Sequence, residues 1–355
     1  MSRFFSNKFN RLIPYVPGEQ PKQTDYIKLN TNESPFLPSE SVKEAVAQES
    51  EKLMLYSDPE CIALREKLSE VLGVEPSEVV VTNGSDEILN FAFMAFCDET
   101  HPIVFPDITY GFYPVFAKLH NIPYTEIPVK SDFSIDINDY IGINKNIVIA
   151  NPNAPTSLLL SISDIEKIVS SNSSNIVIID EAYIDFGGES AIKLINRYKN
   201  LIVTGTFSKS RSLAGARLGF GVADKDLIAD INTIRYSTNP YNVNRLTLRA
   251  GIAALEDNDY YMENCKKIMA TREYTAKQLE TLGFEVLPSL ANFVFVKSEK
   301  IDGETLYKEL KQRKILVRHF SLEKIKDYNR ITIGTKEQMK ALIEKIKEIF
   351  KEKNL

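Results

Sequence analysis

Short segments of apolar residues alternate with amphipathic segments over most of this chain. Six of the apolar segments are rich in β-branched residues and apolar on both faces, which is typical of buried parallel strands. These are Val79–Thr82, Ile103–Phe105, Ile147–Ala150, Ile176–Asp180, Leu201–Thr204 and Leu218–Val222. Segments with helical spacing lie between them, for example Glu60–Leu72, Asp86–Phe96 and Ser163–Ser170. The alternation predicts an α/β domain whose sheet is covered by helices on both faces.

The pattern changes after residue 257. Residues 259–282 predict one long helix, with Gly283 as its C-terminal cap. Shorter elements follow, with strands predicted at Phe284–Leu287, Asn292–Val296 and Arg330–Ile333 and helices predicted near Glu304–Arg313 and after a capping Thr335. We therefore predict an N-terminal arm (1–35), a large domain (36–257) and a small α+β domain (258–355).

Composition and charge narrow the class of protein. Of the 355 residues 43% are hydrophobic, the formal net charge is -5, and no apolar run is long enough to cross a bilayer. No basic block of the nucleic-acid-binding type is present. The three cysteines are widely spaced and the three histidines lack metal-ligand spacing. We predict a cytoplasmic protein that binds no membrane, nucleic acid or metal.

The most informative segment is Thr206–Arg217, which places Lys209 among small hydroxyl residues. Upstream, the apolar run that starts at Ile178 ends in Asp180. A lone lysine in a loop is usually solvated, and an aspartate at a strand end often forms a turn. Together, however, these residues suit pyridoxal phosphate (PLP). The lysine can form a Schiff base with the cofactor aldehyde, and the aspartate can keep the ring nitrogen protonated.

Three further loops follow predicted strands. Gly84, Ser85 and Asp86 open a helix, and its free amides suit a phosphate, although Ser-Asp is also an ordinary cap. Tyr110 follows the next strand and fits either a ring-stacking role or simple packing. The segment Asn151–Thr156 could contact a ligand or serve only as a turn.

These motifs, together with Pro240–Asn244 and Arg330–Thr335, resemble the fold-type I PLP-dependent aminotransferases, and within them the histidinol-phosphate aminotransferase family. The resemblance extends from Tyr15 to Thr335. It implies a mostly parallel seven-stranded sheet in the large domain, and a homodimer with shared sites. It also implies amino transfer between histidinol phosphate and 2-oxoglutarate, with glutamate as the other amino compound.

The resemblance also implies roles for individual residues. Lys209, Asp180 and Tyr183 are the expected catalytic residues, with Tyr183 at the ring oxygen. The other expected cofactor-binding residues are Gly84, Ser85, Asp86, Tyr110, Asn153, Thr206, Ser208 and Arg217, with Tyr56 reaching the cofactor of a second subunit. The expected substrate-binding residues are Tyr15, Asn32, Arg318 and Arg330.

Two positions depart from the family pattern. Ala154 stands where the family usually has asparagine, and Ser157 stands where it usually has glycine. The usual hydrogen bond from asparagine to the ring oxygen is therefore either lost or supplied by another group, for which Asn153 is the candidate. Two related activities remain open as alternatives, threonine-phosphate decarboxylase and aromatic amino-acid aminotransferase. A non-catalytic PLP-binding regulator is a third alternative, but such proteins usually carry a DNA-binding domain for which the sequence shows no spare segment.

Overall fold

The computed structural model describes residues 2–9, 12–21 and 25–355 and confirms the predicted α/β architecture. The strands in these residues are β1 (Ile27–Lys28), β2 (Val79–Thr82), β3 (Ile103–Pro106), β4 (Tyr124–Ile127), β5 (Asn146–Ala150), β6 (Val177–Asp180), β7 (Leu201–Thr206), β8 (Gly219–Ala223), β9 (Phe284–Val286), β10 (Phe293–Ser298), β11 (Ile315–Leu316), β12 (Arg318–His319) and β13 (Tyr328–Thr332). The helices are α1 (Glu40–Ser50), α2 (Ile62–Leu72), α3 (Ser85–Phe96), α4 (Tyr113–His120), α5 (Ile162–Ser171), α6 (Lys225–Thr238), α7 (Arg245–Glu256), α8 (Asn258–Thr281), α9 (Gly303–Gln312) and α10 (Lys336–Lys353).

A seven-stranded sheet forms the centre of the larger part, in the order β2-β8-β7-β6-β5-β3-β4. The pairs from β7 to β4 are parallel, and β8 runs antiparallel to both of its neighbours. All six strands read from the apolar pattern are present in this sheet. The seventh, β4, was not predicted because it is an edge strand whose Thr125 and Glu126 are exposed.

The apolar character of these strands follows from their burial on both faces. In β6, Ile178 packs into one apolar cluster and Ile179 into another on the opposite face. Ile202 and Val203 of β7 alternate in the same way. Because successive side chains of a strand point to opposite faces, a sheet covered on both sides needs continuous apolar runs.

A second, antiparallel sheet has the order β12-β13-β10-β9 and shares an apolar cluster with α8, α9 and α10. The long helix predicted over 259–282 is α8. Thr335 caps α10 as predicted, since its hydroxyl accepts from the Gln338 N–H while the Gln338 side chain accepts from the Thr335 N–H. The N-terminal arm reaches this region because β1 pairs in parallel with β11. The boundaries at residues 35 and 257 stay a prediction.

No helix in the part of the chain that the structure describes is long and apolar enough to cross a membrane.

Candidate active site

Most of the predicted site residues meet where β2, β3, β5, β6 and β7 end, which is the edge at which open α/β sheets bind ligands. A cavity of about 170 Å³, here called the inner chamber, lies there. The predicted residues that line it are Ser85, Asp86, Tyr110, Asp180, Tyr183, Thr206, Ser208, Lys209 and Arg217. A second cavity of about 370 Å³, the outer chamber, shares Tyr110, Ala154, Tyr183 and Lys209 with it.

A larger cavity of about 480 Å³ lies elsewhere, between α2, β7 and the segment that follows β6. Of the predicted site residues only Thr206 lines it. Size alone therefore does not locate the chemistry. The two chambers are the better candidate because they gather the lysine, the strand-end aspartate and the arginines.

Lys209 projects into the junction of the two chambers. Its Nζ donates to the Thr31 carbonyl at 3.2 Å. Burial, together with the positive charge of Arg330, lowers the pKa of Lys209 to about 8, while Glu33 acts in the opposite direction. A sizeable fraction of the amine is therefore neutral, and hence nucleophilic, close to neutral pH.

Asp180 ends β6, and its carboxylate lines the inner chamber. Burial raises the pKa of Asp180 to about 6, although Tyr113 and Thr204 oppose the shift by donating to the carboxylate. The Tyr113 hydroxyl lies 2.9 Å from Oδ2 and the Thr204 hydroxyl 3.1 Å from Oδ1. Both donors were missed in the sequence. Their positions, three residues after Tyr110 and inside an apolar strand, suggested packing only.

The start of α3 forms an anion cradle with the loop after β7. Gly84 has a φ of +82°, and a Cβ there would lie 2.5 Å from Nη2 of Arg217. Arg217 donates from Nη2 to the Asp86 carboxylate at 3.2 Å, and the Thr206 and Ser208 hydroxyls lie 3.0 Å apart. Free helix N–H groups, hydroxyls and a guanidinium together suit a phosphate dianion.

Two tyrosines border both chambers. The Tyr110 hydroxyl donates to Asp86 at 2.7 Å, which fixes the ring beside the anion cradle. The Tyr183 ring packs edge-on against Phe293, with 5.1 Å between the ring centroids. The Tyr183 hydroxyl accepts from Nδ2 of Asn32 at 2.9 Å. Both rings therefore lie where a flat aromatic cofactor between Asp180 and Lys209 would contact them.

Asn153 does not reach either chamber, which corrects the sequence-based expectation. Its Nδ2 donates to the Ile108 carbonyl at 2.9 Å and to the Thr156 hydroxyl at 2.8 Å. Its Oδ1 accepts from Thr109 at 2.8 Å. Since these bonds occupy both ends of the amide, Asn153 supports the loop and does not replace the asparagine missing at Ala154. The Ala154 methyl group is what borders the chambers.

The predicted substrate-binding arginines lie on adjacent strands. Arg318 of β12 is paired directly with Arg330 of β13, and both line the outer chamber with Tyr15. Arg330 donates from Nη2 to the Asn30 carbonyl at 2.9 Å, and its buried Nε contacts no acceptor among the described residues. Burial raises the pKa of Tyr15, and the two arginines oppose that shift. Two guanidiniums and a phenol thus face one space, as an anion requires.

The two remaining predicted residues, Asn32 and Tyr56, lie in different surroundings. Asn32 borders the outer chamber, but its side chain is engaged by Tyr183 and by Thr332. Tyr56 is 80% exposed and stacks on Tyr241, with ring centroids 4.7 Å apart, outside both chambers. A contact between Tyr56 and a cofactor therefore needs a second subunit.

The donor set fits PLP. No group of three or more His, Cys, Asp or Glu side chains in the described ranges could hold a metal ion. Each part of PLP has a chemically suitable partner here. The anion cradle suits its phosphate, the strand-end carboxylate suits its ring nitrogen, and the low-pKa lysine suits its aldehyde.

Comparison with known proteins also indicates a PLP-dependent aminotransferase. The family model described as "Aminotransferase class I and II" matches residues 24–346. A relative from Brachyspira hyodysenteriae named histidinol-phosphate aminotransferase is 49% identical over 353 residues, covering 99% of this chain and 100% of the relative. One of that name from Clostridium acetobutylicum is 46% identical, covering 98% and 99%. A solved Sinorhizobium meliloti histidinol-phosphate aminotransferase in complex with pyridoxal-5'-phosphate has a TM-score of 0.89 at 24% identity, covering 98% and 99% of the two chains.

Proposed function

The chain belongs to the class I and II aminotransferases, and on that premise we propose that it transfers an amino group between histidinol phosphate and 2-oxoglutarate, with PLP in the inner chamber. The observation that carries the substrate assignment is the cross-strand pair of Arg318 and Arg330, which faces the outer chamber beside Lys209. The names of the relatives at 49% and 46% identity agree with it.

The residues of the inner chamber hold and orient the cofactor in this proposal. Ser85, Thr206, Ser208 and Arg217 would bind its phosphate, and the Asp180 carboxylate would accept a hydrogen bond from its protonated ring nitrogen. When bound, PLP supplies an electron sink for the carbon that carries the substrate amine. Tyr113 and Thr204 hold the Asp180 carboxylate in place, because each donates to one of its oxygens.

Lys209 is the covalent anchor and the proton-transfer group. In its free form, its Nζ would take the proton from the amine-bearing carbon of the substrate. A pKa of about 8 suits this role, because the amine is then basic enough to accept the proton while roughly one tenth of it is neutral at pH 7. The Thr31 carbonyl, 3.2 Å from Nζ, offers the released amine a hydrogen-bond acceptor.

The outer chamber selects the substrate through its charge. Histidinol phosphate carries a phosphate and no carboxylate, so Arg318, Arg330 and Tyr15 bind the phosphate oxygens in this proposal. Glutamate presents carboxylates to the same guanidiniums in the other half-reaction. One anion subsite can thus serve both substrates.

The proposal includes a homodimer that works in the cytoplasm. The consecutive side chains of Leu53, Met54, Leu55 and Tyr56 are between 58% and 81% exposed. An exposed apolar run of this kind is typical of a protein–protein interface, and it would bring Tyr56 to a neighbouring site. The three cysteines are free and buried, in keeping with a reducing compartment.

A half-reaction panel tests the proposal. The PLP form is mixed separately with histidinol phosphate, phenylalanine and threonine phosphate, and conversion of the cofactor to its amine form is followed by absorbance. We expect histidinol phosphate to react at the lowest concentration, and 2-oxoglutarate to restore the original spectrum. Faster reaction with phenylalanine would favour an aromatic aminotransferase. Release of CO₂ from threonine phosphate would favour the decarboxylase.

A further inference from the structure

Three side chains link β13 to the inner chamber in one continuous chain of hydrogen bonds. The Asn32 N–H and Oδ1 both lie 3.0 Å from the Thr332 hydroxyl oxygen, and Nδ2 of Asn32 lies 2.9 Å from the Tyr183 hydroxyl. Thr332 is 2% exposed and Asn32 is 1% exposed, so water does not compete for these groups. Asn292 also donates to the Asn32 carbonyl at 2.9 Å, which holds this residue between β10 and β13.

The direction of each bond follows from elementary donor and acceptor rules. The Asn32 N–H can only donate, so the Thr332 oxygen accepts it and the Thr332 proton goes to Oδ1 of Asn32. The amide Nδ2 must then donate to Tyr183. Reversing the amide would leave the buried Thr332 proton with no acceptor among the described residues, at the cost of an unsatisfied polar group. The Tyr183 oxygen is therefore an acceptor from Asn32, and its own proton is free to point elsewhere.

We propose that Thr332 and Asn32 are positioning residues that aim the Tyr183 hydroxyl proton into the inner chamber, at the oxygen on the ring of the bound cofactor. This rests on the proposed function, because it requires PLP in that chamber. These hydrogen bonds, here called the relay, join Thr332, Asn32 and Tyr183. The relay gives Asn32 a role different from substrate binding. It also leaves the Tyr183 proton free to donate at a place where the Ala154 side chain offers no donor.

The proposal has a measurable electronic consequence. A donor at the ring oxygen withdraws negative charge from it, so the nitrogen that joins Lys209 to the cofactor binds a proton less readily. Burial raises the pKa of Tyr183, which keeps the phenol protonated and able to donate. The charged groups around this phenol are Arg330, Asp180 and Asp86, with Lys209 5.8 Å above the ring. Loss of the Tyr183 donor should therefore raise the pH midpoint of the bound cofactor's visible absorption change.

Asn32→Asp is the most informative variant. Aspartate keeps the size of asparagine and tolerates the φ of +57° at this position. Its second oxygen can only accept, so it draws the Tyr183 proton away from the chamber. We expect the absorption midpoint to rise by about one pH unit, the scale of one hydrogen bond to a charged group. Thr332→Val should shift it in the same direction by less, and Thr332→Ser, which keeps the hydroxyl, should behave as wild type.

The negative charge that Asn32→Asp adds could raise the midpoint without any relay, so the experiment includes Tyr183→Phe and the double variant. If the relay operates, Tyr183→Phe raises the midpoint by itself, and Asn32→Asp adds little in the Tyr183→Phe background. If Asn32→Asp shifts the midpoint equally in both backgrounds, the effect is through space and the relay is refuted. An unshifted midpoint in Tyr183→Phe also refutes it.

The same titration separates failure of the relay from failure of the proposed function. Cofactor content is measured in each sample after denaturation, so a shift is compared only among loaded proteins. If the wild-type chain forms no PLP complex bonded to Lys209, the proposed function and the relay both fail. If the wild type loads and transfers amino groups but the double variant shows additive shifts, only the relay fails.

Discussion

The lowered pKa of Lys209 makes a quantitative prediction about cofactor loading. Only the neutral amine attacks the PLP aldehyde. With a pKa of about 8 instead of the ordinary 10.5, roughly one tenth of the amine is neutral at pH 7 instead of about three parts in ten thousand. The apoprotein should therefore react about 300 times faster at pH 7 than a lysine of ordinary pKa held in the same geometry.

The sign of the pH dependence follows from the same shift. The association rate should rise about tenfold per pH unit below the midpoint and level off above a pH of about 8. For a lysine of ordinary pKa, the association rate would continue to rise up to a pH of about 10.5. Stopped-flow absorbance of apoprotein mixed with PLP between pH 7 and 10 measures this profile. N-acetyl-lysine mixed with PLP under the same conditions is the reference amine.

Two variants identify the cause of the shift. Arg330 is the largest charge contribution that lowers the Lys209 pKa, and Arg318 contributes less. Arg330→Gln should move the midpoint upward, and Arg318→Gln, its cross-strand neighbour, should move it less. A wild-type midpoint near 10, or equal midpoints in the two variants, would refute this reasoning.

Three further predictions concern the inner chamber and the subunit interface. Asp180→Asn should keep the fold and much of the PLP binding but lose about two or more powers of ten in transamination rate, because a neutral amide cannot hold the ring-nitrogen proton; steady-state assays and calorimetry measure the two properties. Gly84→Ala should weaken PLP binding by about tenfold, measured by equilibrium titration, since the new methyl meets Arg217 in a backbone conformation that costs a non-glycine residue roughly 1–3 kcal/mol. Mixing Lys209→Ala and Tyr56→Ala proteins should restore up to about one quarter of wild-type activity, because half of the random dimers carry one intact shared site. No recovery after subunit exchange would contradict the sharing of Tyr56.

The large sheet was predictable because its strands are buried on both faces, so each is written as a continuous apolar run. The edge strand β4 carries exposed Thr125 and Glu126 and escaped detection for the opposite physical reason. Strands β1 and β11, which pair with each other, have two residues each and are too short to show any period. Their pairing depends on contacts between distant parts of the chain, which a local pattern cannot encode.

The site was predictable as far as its motifs are local. Lys209, Asp180 and the glycine turn before α3 each belong to a short segment whose chemistry is visible in sequence. The partners that orient these groups come from far along the chain, as in the bond from Asn32 to Tyr183, 151 positions away. Asn153 is the opposite case, because it was predicted to bind the cofactor and instead supports a loop. Its neighbours Thr109 and Thr156 occupy the amide, and only the folded loop reveals it.

The phosphate preference of the outer chamber tests the central claim most directly. The measurement is the ratio of kcat/KM for histidinol phosphate to that for histidinol, which lacks only the phosphate, with 2-oxoglutarate as acceptor. Two arginine contacts to the phosphate, each contributing about 1.5–3 kcal/mol, predict a ratio of about 10² to 10⁴ that falls strongly in Arg330→Gln. A wild-type ratio near one would contradict the assignment of Arg318 and Arg330 to a substrate phosphate, and with it the proposed reaction.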